Sequence, residues 1–290
     1  MKIALINGGL GNQIFQYIFA RNVELYTGEQ CWLDDTYFFL PHDHNGYEIE
    51  SLFGVKTNRL SEYFDKDVWS DIVENVSKGF SVAQQFKESG NDLFLVAETS
   101  DFKFDGNYIY TPANKCISEI LSAHGNVYYH GYWICKGWLD LNRKILLKEL
   151  TFPKITDSTN LNIEEKIRTS NSISIHIRRG DFVKLGWALN ECFYKDAIVN
   201  LENAVLDGQY FLFSDDIDWC LNNKEALGLN LIENRLTTVW GNTHGRNYID
   251  MQLMSMCKGM IIANSSFSYV AALMNSGLKW LVNPTPAREV

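Results

Sequence analysis

Two Rossmann-like α/β domains are what this 290-residue sequence predicts, and three observations lead there. The chain opens with a strand, a glycine-rich turn and a helix. A polar, turn-rich stretch interrupts it near the middle. The alternation of strand and helix then starts afresh, and repeated alternation of that kind points to parallel sheets with connecting helices. The interruption falls between Phe152 and Ser170, where Pro153 and then Thr156-Asp157-Ser158-Thr159-Asn160 break the apolar pattern. Residues 1–155 and 156–290 are assigned to the two domains on that basis.

In the first half, Lys2 to Asn7 reads as a strand running straight into Gly8-Gly9-Leu10-Gly11-Asn12-Gln13. Ile14, Phe15, Ile18, Phe19 and Val23 then give one broad apolar helix face, with Asn12 as its expected N-cap and a stop near Gly28. Gln30 to Asp35 reads as the second strand. Residues 36–125 carry many aromatics without a clear period, and no element is assigned there. Asn126 to Trp133 is a further strand with an aromatic end that suits either sugar stacking or core packing.

In the second half, strands are expected at 172–178, 209–214, 237–240, 260–263 and 279–282. Helices are expected near 163–168, 193–206 and 248–257. The strand at 172–178 alternates Ile173, Ile175 and Ile177, and ends in Arg178-Arg179-Gly180-Asp181. Ligands of open α/β sheets bind outside the carboxyl ends of strands. Paired guanidiniums there suit an anion, because their forked donors match phosphate oxygens.

Composition narrows the partners. Hydrophobic residues make up 46% of the chain and the net charge is −9, which opposes nucleic-acid binding. No apolar run approaches the ~20 residues that cross a bilayer, and the start reads as a strand rather than a leader segment. The cysteines at 31, 116, 135, 192, 220 and 257 lack the close spacing of zinc sites or disulfide frameworks. A cytoplasmic protein with reduced thiols is expected. Asp34, Asp35, His42, Asp43 and His44 do not have metal-ligand spacing either, and no metal or other cofactor is expected.

Three loops at strand ends, 8–13, 178–181 and 264–267, offer backbone amides, guanidiniums and hydroxyls at a helix start. They suggest a cleft between the two domains that takes a nucleotide diphosphate. Two other readings stand beside this one. The Gly8–Gln13 turn imitates a dinucleotide fingerprint and so a NAD-dependent oxidoreductase, although Ile14 occupies the third glycine position. A non-catalytic nucleotide-sugar-binding module is the other.

Gly8 to Tyr17, His176 to Asp181, Phe213-Ser214-Asp215-Asp216-Ile217-Asp218-Trp219 and Ile262 to Ser268 together resemble the motif set of the family 11 glycosyltransferases, in order and spacing. The resemblance implies a GT-B-like pair of domains, with GDP-β-L-fucose as donor and a terminal galactose 2-hydroxyl as acceptor. Transfer would be inverting and metal-independent, for surface polysaccharide such as O-antigen. Contact with a lipid-linked glycan at the inner membrane would be peripheral.

By that resemblance, Arg178 stabilises the leaving GDP at the β-phosphate and Arg179 supports it. His176 and Asp250 contact guanine. Ser265, Ser266 and Phe267 grip phosphate, and Gly11 and Asn12 lie near the fucose. The first domain takes the acceptor side and the second the donor side. Read from the residues alone, inversion needs either a base or a strongly dissociative route that needs little help. Asp181 is the first candidate base, beside Asp34, Asp35 and Glu191, with orienting Arg178 or Arg179 as the other reading of Asp181. Tyr269-Val270-Ala271-Ala272-Leu273-Met274 departs from the family's Trp-Trp-Gly-Ala-Trp-Leu. Val282-Asn283-Pro284-Thr285-Pro286 departs from its Pro-Lys-Arg-Trp ending.

Overall fold

The computed structural model describes residues 1–99 and 104–284, and the chain divides into two compact units, Met1–Pro153 and Lys154–Val290. The first unit carries a sheet in the order β3-β2-β1-β6-β4-β5. Its strands are β1 (Lys2–Leu5), β2 (Cys31–Asp34), β3 (Asn58–Arg59), β4 (Leu93–Ala97), β5 (Asn107–Tyr110) and β6 (Asn126–His130). Every pairing is parallel. β1 sits inside the sheet, which explains why Ile3 and Ala4 are both fully buried although they point to opposite faces.

The helix after β1, Leu10–Thr27, starts earlier than expected. Gly8 at φ +74° and an extended Gly9 already complete the reversal, so Asn12 lies in the first turn and Gly9 is the N-cap. At the far end Gly28 closes the helix at φ +73°. Two buried glutamines hold the turn. Gln13 donates to the Gly8 and Gly46 carbonyls and accepts from the Glu48 N–H. Gln16 bonds Asn7 twice and donates to the Gly131 carbonyl.

The stretch without assigned elements holds β3, β4, β5 and the helices Ile49–Phe53, Leu60–Tyr63, Lys66–Ser77 and Val82–Glu88. Its aromatics mislead because several face water: Phe39, Phe80 and Tyr108 are about half exposed, and all of β5 is exposed. At the end of β6, core packing wins for most of the aromatics. Trp133 stacks on Phe19 at 3.8 Å, with Tyr129 and Trp138 edge-on to the same ring. Tyr132 alone among them turns outward.

The second unit carries a parallel sheet in the order β11-β10-β7-β8-β9. The strands are β7 (Asn171–Ile177), β8 (Gly208–Ser214), β9 (Leu236–Thr238), β10 (Gly259–Ile261) and β11 (Trp280–Val282). Ile173, Ile175 and Ile177 join Tyr194, Ile198 and Leu201 of the helix Glu191–Ala204 in one core cluster. The turn-rich stretch before β7 is in fact the start of a longer helix, Ser158–Thr169. Asp157 caps it by accepting from the Asn160 N–H at 2.9 Å, which is why residues that favour turns here begin a helix instead. The divergent 269–274 segment lies in the helix Ser266–Met274, with Val270, Ala271, Ala272 and Leu273 buried. Its small side chains therefore belong to the interior of this unit. Thr285 and Pro286 of the divergent ending lie outside the described residues.

Candidate active site

The second unit gathers its chemistry at the carboxyl edge of β7, β8 and β10. β7 is central, so its second phase is buried as well: Ser172 and Ser174 are wholly covered and His176 is 6% exposed. Past Ile177 the chain leaves the sheet, and the guanidiniums of Arg178 and Arg179 emerge into acidic company from the neighbouring strand β8. Arg178 NH1 lies 2.9 Å from Asp215 Oδ2 and NH2 donates to Asp181 Oδ1 at 2.6 Å. The Arg179 backbone N–H donates to Asp215 Oδ1 at 2.8 Å. Its side chain bonds Asp216 at 3.3 Å, and its guanidinium carbon sits over Trp219, 3.3 Å from the ring centroid. A Cβ on Gly180 would come within 2.6 Å of Asp215 Oδ2, so a larger residue there would displace the Asp215 carboxylate.

Three carboxylates thus hold two arginines that keep part of their surface in water. Exposed pairs of this kind add little stability, so their effect is to fix where the guanidiniums point. The family resemblance includes Asp215, Asp216 and Trp219 without implying a role for them. The signal was present: an acidic pair ends β8 just where the arginine pair ends the adjacent β7.

His176 precedes the arginines and packs against Phe267, ring centroids 5.7 Å apart. Its Nδ1 is buried and has no hydrogen-bond partner among the described residues. Burial, then the nearby Arg178 charge, holds this imidazole down at about 3, so it is neutral at ordinary pH. Phe267 belongs to the loop after β10. There Ser265 caps the helix Ser266–Met274 by accepting from the Phe267 N–H at 3.3 Å. Asn264 donates to the Trp187 carbonyl at 2.9 Å, and Trp187 meets Phe182 edge-on. The 178–187 and 264–267 segments are therefore tied together, with His176 and Phe267 in contact between them.

Asp250 stands in a separate network that the sequence did not reveal. Asn242 donates to its Oδ1 at 2.7 Å and pairs amide to amide with Asn160, which in turn bonds Asp157. Burial raises the Asp250 carboxyl to about 7, and the Asn242 bond only partly opposes this. Gly11 and Asn12 lie in the first unit, in the turn and first helical turn after β1.

The candidate bases differ sharply. Asp34 is 2% exposed and accepts from Thr36 and Tyr128, while Asp35 is 1% exposed and accepts from Ser61. Both are internal braces with no open face toward a substrate. Glu191 sits in the first turn of its helix. Asp181, half exposed, is engaged by Arg178. Among the described residues no three His, Cys, Asp or Glu side chains gather as a metal site, and no helix is long and apolar enough to cross a membrane.

Comparison with known proteins gives this geometry a context. The family model described as Glycosyl transferase family 11 matches residues 100–288. An α-1,2-colitosyltransferase of Escherichia coli is 30% identical, covering 98% of this chain and 91% of that protein. The O-antigen biosynthesis glycosyltransferase WbnK of Escherichia coli is 26% identical over 93% of this chain and 89% of its own. Among solved structures, the fucosyltransferase NodZ from Bradyrhizobium superposes with a TM-score of 0.55 at 12% identity, covering 94% of this chain and 92% of that one. At that identity the likeness speaks to the fold, a GT-B-type pair of Rossmann-like units. With the arginine pair, the serine loop and the glycine turn each in place at a strand's carboxyl end, the chain belongs to glycosyltransferase family 11.

Proposed function

We propose that this protein transfers L-fucose from GDP-β-L-fucose to the 2-hydroxyl of a terminal galactose, with inversion and without a metal. The observation that carries the reading is the guanidinium of Arg178, held by Asp215 and Asp181 at the carboxyl end of β7. Negative charge grows on the β-phosphate as the glycosidic bond breaks, and a fixed guanidinium stabilises it there. Asp215 keeps the guanidinium in place, and the more exposed Asp181 yields its side to phosphate. Arg179, seated over Trp219, supports the diphosphate from the same turn.

Ser265, Ser266 and Phe267 complete the phosphate grip with backbone N–H groups and hydroxyls. The unpartnered His176 Nδ1 and the Asp250 carboxylate meet the guanine. Gly11 and Asn12 lie beside the sugar. Residues 1–155 take the acceptor and 156–290 the donor. The reaction is placed in the cytoplasm, on an O-antigen-like precursor, with only peripheral contact to a lipid-linked glycan. Family membership favours sugar transfer over NAD chemistry at the Gly8 turn, and over a binding module without turnover.

The 30% relative named for colitose supports a second reading of the donor. Colitose lacks the 3-hydroxyl of fucose. A site that hydrogen-bonds this hydroxyl rejects the deoxy donor by about 10⁴-fold, whereas an apolar site discriminates weakly. Parallel turnover of GDP-fucose and GDP-colitose on β-galactosides, with linkage analysis of the product, decides between them. Product from neither donor overturns both readings. EDTA should leave turnover intact, and its loss would contradict the arginine-based mechanism.

A pH effect follows from Asp250. Its raised pKa means the folded protein keeps this proton from the ordinary carboxylate range up to about 7. The stability that the protonated form contributes is present at low pH and lost as pH rises through 7. Guanine binding runs the other way, because its N1–H and N2–H donors need the carboxylate. GDP affinity measured by calorimetry should therefore climb between about pH 5 and pH 8. Asp250→Asn should bind GDP weakly with a flat profile. A flat wild-type profile would remove Asp250 from the guanine site.

A further inference from the structure

The acceptor side of the reaction has no residues assigned to it. One feature of the first unit is built to present an aromatic ring at the carboxyl edge of its sheet. Most aromatics around β6 are sealed inside, yet Tyr132 is 47% exposed. It lies in the turn after β6, the strand paired with β1 and its glycine turn.

That turn is held from beneath by Glu98, which follows β4 and is 9% exposed. Glu98 Oε2 accepts from the Tyr132 N–H at 2.7 Å and from the Trp133 N–H at 2.9 Å, and the Asn114 N–H faces the same carboxyl group. Two of these residues have left-handed backbones, Trp133 at φ +57° and Asn114 at φ +60°. For a bulky tryptophan that conformation is costly, and it persists only where the surroundings impose it. Gly131 leaves the room: a Cβ there would lie 2.7 Å from Glu98 Cγ. Gln16 then ties the Gly131 carbonyl to the helix after β1 at 3.1 Å. A buried carboxylate, a required glycine and a strained tryptophan thus combine to turn one tyrosine outward.

The surroundings of Tyr132 suit a sugar. Tyr37 follows β2 and Tyr132 follows β6, the two strands that flank β1, so both stand at the carboxyl edge of the sheet. The Tyr37 ring stacks on His42 at 5.2 Å and 18°. His44 stands 6.2 Å from Tyr37, and its Nδ1 lies 3.4 Å from where a Gly9 Cβ would be. Aromatic faces take the C–H face of a pyranose, while phenol and imidazole edges hydrogen-bond its hydroxyls. All of these groups belong to one unit and one edge of its sheet.

We propose that Tyr132, with Tyr37 and His42 at the same edge of the sheet, is the platform on which the acceptor's terminal pyranose stacks, and that Glu98 is the positioning residue that holds Tyr132 there. The inference rests on the sugar-transfer reading above and extends it to the acceptor. Glu98 acts only through the turn, because its carboxyl group is enclosed by the backbone it holds.

Kinetics with separate donor and acceptor titrations test the platform. Tyr132→Ala should raise the acceptor KM by at least about ten-fold, on the scale of losing one aromatic contact, with donor KM moving less than about two-fold by the same conversion. Tyr132→Phe, which keeps the ring, should recover most of the loss. Glu98→Ala should reproduce the Tyr132→Ala pattern. Glu98→Gln keeps one oxygen for the Tyr132 and Trp133 N–H groups and should lie near wild type. An unchanged acceptor KM in Tyr132→Ala, or a rise in both KM values together, overturns the proposal.

Saturation-transfer NMR with N-acetyllactosamine and no donor separates this inference from the donor reading. Loss of the galactose C–H signals in Tyr132→Ala supports the platform even if GDP-fucose proves to be the wrong donor. Signals equal to wild type, or none in the wild type, refute it.

Discussion

Arg178→Ala is expected to lower turnover by about 10²–10³-fold, the usual cost of removing a principal donor to developing charge. The fold should remain, because Arg178 sits past the end of β7, keeps 31% of its side chain exposed, and forms its ion pairs with the partly exposed Asp181 and Asp215. Circular dichroism and a melting curve close to wild type would show that the loss is chemical. Arg178→Lys should fail nearly as badly. Lysine offers a compact charge and no fork, so it cannot span Asp215 and a phosphate together. An Arg178→Ala protein that keeps more than about a tenth of wild-type turnover would falsify the assigned role.

The second large effect is expected at Asp215. Its two oxygens divide their work, Oδ1 taking the Arg179 N–H and Oδ2 facing the Arg178 guanidinium. Asp215→Ala removes both and frees the turn as well as the charge. A misplacement of about 1 Å at a reacting centre costs on the order of 10²-fold, and kcat should fall by that order. Asp215→Asn keeps an oxygen for the Arg179 N–H and loses the ion pair, so it should lie between alanine and wild type. Equal losses in the two variants would place the whole effect in the charge. No loss in either would leave Arg178 positioned by Asp181 alone. Gly180→Ala offers an independent check, since its new methyl group would press on the same carboxylate.

The two halves of the chain were legible to different degrees. In the second half, strands β7 to β11 fall close to the expected positions, because each is a short apolar run bounded by turn residues. In the first half, residues 36–125 could not be read. Phe39 and Phe80 face solvent, β5 is wholly exposed, and β3 has only two residues, so neither apolarity nor period marks them. Asn12 is not the cap its residue type suggests, because two successive glycines turn the chain before it. The core role of Trp133 was one of two open readings, and only the 3.8 Å stack on Phe19 decided it.

The sequence alone established what is local: the α/β alternation, the glycine turn, the arginines at the end of a strand and the serines at the start of a helix. These depend on residues a few positions apart, and their order along the chain carried the family resemblance. The partners of those groups lie far away in sequence. Asp215 meets the Arg179 N–H across 36 positions, Asn160 meets Asn242 across 82, and Glu98 holds Tyr132 across 34. Parallel strands set side by side, with long crossovers between them, create such pairings. No local pattern encodes them. The tertiary structure therefore decided which carboxylates hold the arginines, which acids are merely internal braces, and which tyrosine after β6 is turned outward.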